Sequence, residues 1–170
     1  MRCPSDLTDD VIFLCPLQLH DAADHLAGED ADIARWLSGG RSTLPGVQRY
    51  IASCQEHWQT SGPLRAFGVF DCATEKLIGS IEANLAYRSV PGQVNISYST
   101  FPDWRGKGIA RRALELMASY LRLATDVRQM VVRIEPANEA SLKVVERCGF
   151  EFIGMFEEPK GKMARYIRHL

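Results

Sequence analysis

The order of local periods along this chain predicts a mixed α/β (α+β) domain, a mostly antiparallel central sheet flanked by helices. Three observations carry that expectation. Three strand-like runs joined by short turns lie between Leu64 and Phe101, a helix and a strand follow the last of them as far as Pro136, and a second capped helix then leads into two more strand-like runs. A length of 170 residues, with 46% hydrophobic and 24% charged residues, suits one domain, 1–170, with a sizeable core.

Each element has its own signal. "VIFLCPL" (Val11 to Leu17) is a continuous apolar run of strand length. "EDADIARWL" sets Ile33, Trp36 and Leu37 at helical spacing behind an acidic start, and "PGVQRYIASCQEHW" puts Val47, Tyr50, Ile51, Cys54 and Trp58 along one face. Two helices therefore separate the first strand from the second. "LRAFGVFD", "KLIGSIEANLAY" and "QVNISYSTF" form the meander, linked by Cys-Ala-Thr-Glu and "RSVPG", connections short enough for antiparallel hairpins. "RGKGIARRALELMASYL" aligns Ile109, Ala110, Ala113, Leu114, Met117 and Leu121, and "MVVRIEP" follows. Strand, helix and strand give a parallel pair by the crossover rule. "NEASLKVVERCGF" is a helix with Asn138 at its N-cap and Gly149 at its stop, and "FEFIGMF" and "MARYIRHL" supply the last strands. Trp36, Tyr50 and Trp58, on apolar stripes, are expected in the core.

The charge balance excludes some functions. A net charge of -1 and a pI near 6.4 lack the positive excess of a non-specific nucleic-acid binder. Cys3, Cys15, Cys54, Cys72 and Cys148 are an odd set without a CxxC pair, which fits neither a disulfide framework nor a zinc site. No metal is expected. No apolar run approaches the ~20 residues of a membrane helix, and "MRCPSDLTDD" lacks the apolar core of a signal peptide, so the expected location is the cytoplasm.

The junction "STFPDWRGKGIARRALELM" places two glycines where a strand runs into a helix. A helix N-terminus offers unpaired N–H groups and a partial positive charge, so such a loop can cradle a phosphate, or it can be a tight packing turn. Neither the P-loop pattern nor GxGxxG fits Gly106, Gly108 and Arg111. Residues Arg105 to Ala110 do match (Q/R)xxGx(G/A), and with Asn138 opening the next helix and Gly149-Phe150 closing it, the chain resembles the GNAT superfamily of N-acetyltransferases. "EPANEAS", "ERCGF", "ARWL" and "LIGSI" are most similar to its RimJ/RimL branch.

The resemblance implies acetyl-CoA as co-substrate, lying between two parallel strands that splay apart, here Val94 to Phe101 and Met130 to Pro136. It implies pantetheine pairing near Ser99, Thr100 and Phe101, and pyrophosphate on the backbone N–H groups of Arg105, Gly106, Lys107, Gly108, Ile109 and Ala110, with Asn138 nearby. The side chains of Arg105 and Lys107 either assist or are solvated. A neutral amine would attack the thioester directly while a backbone N–H near Phe101 polarises the carbonyl.

The Tyr that many members carry seven residues after the Asn as general acid is replaced by Val145, and Ser141, one turn after Asn138, is the substitute donor. Glu82, on the polar face shared with Ser80 and Asn84, and Glu135, at the end of the parallel strand, are the candidate bases. Cys148 reads as a packing residue, and the four histidines carry no assigned role. The expected acceptor is a primary amine, an α-amine of a protein N-terminus or of a small molecule; the acidic "GEDADIARW" either attracts a cation or caps a helix. A non-catalytic acyl-CoA-binding or sensing module is the alternative. An edge strand near the C-terminus fits a monomer or a homodimer.

Overall fold

A computed structural model describes residues 7–87 and 90–170. Cys3, most of the N-terminal segment and Arg88 and Ser89 of the "RSVPG" connection lie outside the described residues. The strands are β1 (Ile12–Cys15), β2 (Leu64–Asp71), β3 (Leu77–Asn84), β4 (Gln93–Thr100), β5 (Gln129–Ile134), β6 (Glu151–Glu158) and β7 (Gly161–His169). The helices are α1 (Ala22–Ala27), α2 (Ala31–Ile33), α3 (Leu44–Gln59), α4 (Ile109–Ala124) and α5 (Glu139–Arg147). They flank a seven-stranded sheet of order β1-β2-β3-β4-β5-β7-β6.

The meander is antiparallel and β4–β5 is the parallel pair, as the hairpin and crossover arguments require. The last hairpin folds back so that β7 lies between β5 and β6, leaving β6 on the edge. Phe152, Ile153 and Met155 are exposed along it.

Each face of the sheet has a core. Ile109, Ala113, Leu114, Met117 and Leu121 of α4 and Val145 of α5 pack with Phe67, Val69, Ile81 and Ile96, while Ile33, Val47 and Ile51 pack with Phe70, Leu77 and Phe101. Burying each of the larger aliphatic side chains contributes about 1.5–3 kcal/mol. Trp58 meets the core through Phe67 and donates to the Ala66 carbonyl at 3.0 Å.

The helical region before β2 differs from expectation. A short α1 precedes it, and "DIARWL" is α2 running into a π-helical turn, Ala34–Ser38, which ends at Gly39 in the left-handed region (φ 71). The wider turn rotates Trp36 out of the core. Its ring instead carries the Arg35 guanidinium at 4.1 Å and lines a cavity described below.

Candidate active site

The splay is visible in the register. β4 and β5 pair only at Gln93↔Gln129, Val94↔Met130 and Asn95↔Val131, whereas β7 accompanies β5 along its whole length. Buried Asn95, at the split, accepts from Arg133 Nε at 2.8 Å. Beyond it the strands line a cavity of about 640 Å³.

Which amides face this wedge follows from alternation. The Phe101 N–H donates to the Ile78 carbonyl at 2.9 Å, so the N–H groups of Ser99 and Ser97 also turn toward β3. Those of Tyr98 and Thr100 face the wedge. The sequence expectation thus requires a correction of one residue: the Phe101 amide is already committed, and Ser99 lines the wedge without turning its N–H into it.

At the wide end of the wedge lies the glycine loop. Gly106 (φ 72) and Gly108 (φ 77) are left-handed, and a Cβ built on either meets nothing within 4 Å. The turn requires glycine for its conformation, and the space above it is open. Ile109, Ala110 and Arg111 open α4, so their N–H groups lack intrahelical partners and point outward there. Arg105 differs from its expected role. Its N–H donates to the Pro102 carbonyl, its Nε to the Thr100 carbonyl at 3.1 Å, and its two terminal nitrogens to Asp30 at 2.7 and 2.9 Å. The Lys107 ammonium lies over the Trp104 ring at 5.0 Å. Arg111, Lys143 and Arg147, which the sequence reading left unassigned, supply the cationic rim.

On the opposite wall Asn138 caps α5, its side chain accepting from the Ser141 N–H at 3.2 Å. The Ser141 hydroxyl lies 2.7 Å from that of Tyr98. Val145 is fully buried, so the position seven residues after the Asn faces the core here. A tyrosine hydroxyl arrives from β4 instead, and burial pushes its pKa up to about 12, keeping it protonated. No spacing rule connects Tyr98 to Ser141, which is why the sequence concealed it.

A second cavity of about 660 Å³ lies on the other side of Ser97, Tyr98 and Ser99, which line both. Its walls include Glu82 from β3, Tyr50 from α3, His25 from α1 and the loop 38–43. Tyr50 Oη donates to Glu82 Oε2 at 2.9 Å. Burial raises the Glu82 pKa, and the Tyr50 hydrogen bond opposes part of that rise. Tyr50 thus packs against the core, as expected, and also presents its hydroxyl to the site. Glu135 lines the first cavity and not the second. His25 stands 6.0 Å from Tyr50 and 6.4 Å from Phe101, ring centre to ring centre, with burial holding its pKa down.

The acidic "GEDAD" is neither a free cation attractor nor only a cap. Glu29 accepts from the Ser42 N–H and from the Ser38 and Ser42 hydroxyls at 2.6 to 2.9 Å, and Asp30 caps α2 while binding Arg105. Cys54 and Cys148 have thiol pKa values raised by burial, Cys54 to about 11, which suits packing rather than nucleophilic attack. Among the described residues no group of His, Cys, Asp and Glu is arranged to hold a metal ion, and no helix is long and apolar enough to cross a membrane.

Comparison with known proteins meets the same geometry. A Bacillus subtilis protein described as a probable N-acetyltransferase, YjcK, is 26% identical over 150 residues, 85% of this chain and 82% of that protein. The microcin C7 self-immunity acetyltransferase MccE, solved with acetyl-CoA and AMP, superposes with a TM-score of 0.84 at 15% identity, covering 99% of this chain and 98% of that one. RimL, the ribosomal L7/L12 α-N-protein acetyltransferase solved with coenzyme A, superposes at 0.81 with 18% identity over 96% of both chains. The profile of the acetyltransferase (GNAT) domain matches residues 12–151, and the chain belongs to that family of acetyltransferases.

Proposed function

We propose that the protein transfers an acetyl group from acetyl-CoA to the α-amine of a protein N-terminus or of a small molecule, in the manner of the RimJ/RimL branch. The observation that carries this reading is that the two cavities share one wall, Ser97 to Ser99, with Glu82 on one side and the split strands and glycine loop on the other. RimL acts on a protein α-amine, which favours that acceptor. The Tyr98 and Thr100 amides pair with the pantetheine arm as an added strand would. The loop 106–108 and the first turn of α4 hold the pyrophosphate, and Arg111, Lys143 and Arg147 neutralise the remaining phosphate charge.

Glu82, half-buried and held by Tyr50, takes the proton from the attacking nitrogen. A wedge-side amide of β4 polarises the thioester carbonyl. The hydroxyl pair Tyr98–Ser141 donates to the departing sulfur, which needs only modest help because a thiol pKa is ~8.5. Asn138 orients Ser141 through the helix cap. Cys54, Cys72 and Cys148 carry free thiols, which suits a reducing cytoplasm.

Only an unprotonated amine attacks. At pH 7 neutralisation costs about 1.2 kcal/mol for an α-amine of pKa ~7.9 and about 4.6 kcal/mol for a lysine of pKa ~10.4, a difference of roughly 300-fold in reactive species. A peptide with a free N-terminus is therefore expected to outcompete its N-blocked, lysine-containing counterpart, read by mass mapping of the acetyl group. Predominant labelling of lysine overturns the α-amine assignment, and no thiol release from acetyl-CoA with either peptide or with a panel of small amines overturns the enzymatic one.

A further inference from the structure

The tripeptide Gly28-Glu29-Asp30 touches both halves of the site through three different chemistries. A Cβ at Gly28 would lie 2.2 Å from the Phe101 ring, so the end of α1 packs its backbone directly on the residue that closes β4. Glu29 holds the loop 38–43 by its bonds to Ser38 and Ser42, and that loop lines the acceptor-side cavity alone. Asp30 grips Arg105 of the glycine loop with both oxygens while capping α2 through Ile33 N–H at 3.0 Å. Arg105 in turn holds the Thr100 carbonyl, at the open end of the wedge. A continuous path of charge-assisted bonds thus runs from the glycine loop to the acceptor cavity wall, and none of it is needed to close the sheet.

We propose that Asp30 is a positioning residue that clasps Arg105, so that occupation of the acetyl-CoA cavity orders the loop 38–43 of the acceptor cavity through Glu29. This rests on the reading of the first cavity as the acetyl-CoA site. Filling the wedge fixes the glycine loop, the fixed loop holds Arg105, and Asp30 carries the restraint one peptide back to Glu29 and its two serines. The acceptor cavity then takes its final shape after the acetyl donor has bound. Asp30 is suited to the task because the Arg105 guanidinium beside it holds its carboxyl down at about 2, so the pair stays charged throughout the working range.

The test combines calorimetry with amide exchange. Asp30→Asn keeps a good helix cap while removing the charge, and Arg105→Gln removes the other partner and leaves the cap on Ile33 untouched. Each is expected to weaken acetyl-CoA binding about fivefold, the upper range for a bidentate but partly exposed pair. The double variant is expected to match the single ones rather than multiply them to about 25-fold. In the unaltered protein acetyl-CoA is expected to slow amide exchange over 38–43, and in both single variants, saturated with acetyl-CoA, that slowing is lost while the melting temperature holds. A multiplicative double variant, or slowing that persists in Asp30→Asn and Arg105→Gln, overturns the clasp. Failure of the unaltered protein to bind acetyl-CoA removes the acetyl-CoA reading and the clasp with it, whereas normal binding without slowing over 38–43 removes the clasp alone.

Discussion

The two cavities that meet at Tyr98 are built by different means. The wedge is made of main chain: a strand pair that stops pairing after three residues, two glycines at positive φ, and the open first turn of α4. The second cavity is made of side chains brought together from different elements, Tyr50 with Glu82 and Glu29 with Ser42. Backbone chemistry tolerates wide sequence change outside its glycines, while a side-chain cavity is rewritten by single substitutions. A common donor with variable acceptors is the expected result of that division.

The difference can be broken most severely at the loop. Gly108→Asp puts a β-substituted residue at φ 77 and a negative charge into the open space above the turn. Like charges at several kcal/mol are expected to weaken acetyl-CoA binding by ~100-fold or more with the fold retained, read by calorimetry beside thermal melting. Near-normal affinity in a folded variant would remove the phosphate assignment.

On the other side of the shared wall the cost should fall on turnover. Glu82→Gln is expected to lower kcat by ~10²-fold with little change in acetyl-CoA affinity, and Glu135→Gln, confined to the first cavity, to leave kcat within about twofold. The reverse ranking would transfer the base to the end of β5.

A smaller effect sharpens the same boundary. Because the Tyr50 hydrogen bond favours the charged form of Glu82 and burial opposes it, Tyr50→Phe is expected to move the acid limb of the rate profile to higher pH. For stability the sign is the opposite of the usual carboxylate. A folded-state pKa above the unfolded one favours the protonated form, so Glu82 contributes stability as pH falls through its raised pKa and loses it above. An acid limb that stays in place would show that Glu82 does not govern it.

The same division decided what could be read beforehand. Periodicity placed β2 at Leu64–Asp71 and the buried face of α4, and the Arg105 to Ala110 pattern located the glycine loop, because strand alternation and helix-start chemistry are local. Asn138 as the cap of α5 was legible for the same reason. The Tyr98–Ser141 pair spans 43 positions and the Asp30–Arg105 pair 75, distances at which no periodicity survives. His25 received no role because α1, six residues long, offers too few turns for a stripe. The expectation that the Phe101 amide faces the wedge failed on phase: it depends on which edge of β4 each N–H leaves by, and side-chain alternation does not report it.

The placement of β7 between β5 and β6 also orders the birth of the molecule in time. During synthesis β1 to β4 can pair with one another as each emerges, since every neighbour precedes or directly follows in the chain. β5 then has only three register pairs with β4 until the chain has passed through β6 and made β7. The nascent protein therefore carries a finished N-terminal half-sheet beside a strand awaiting its main partner, and the last strand to be made joins both of the strands it separates.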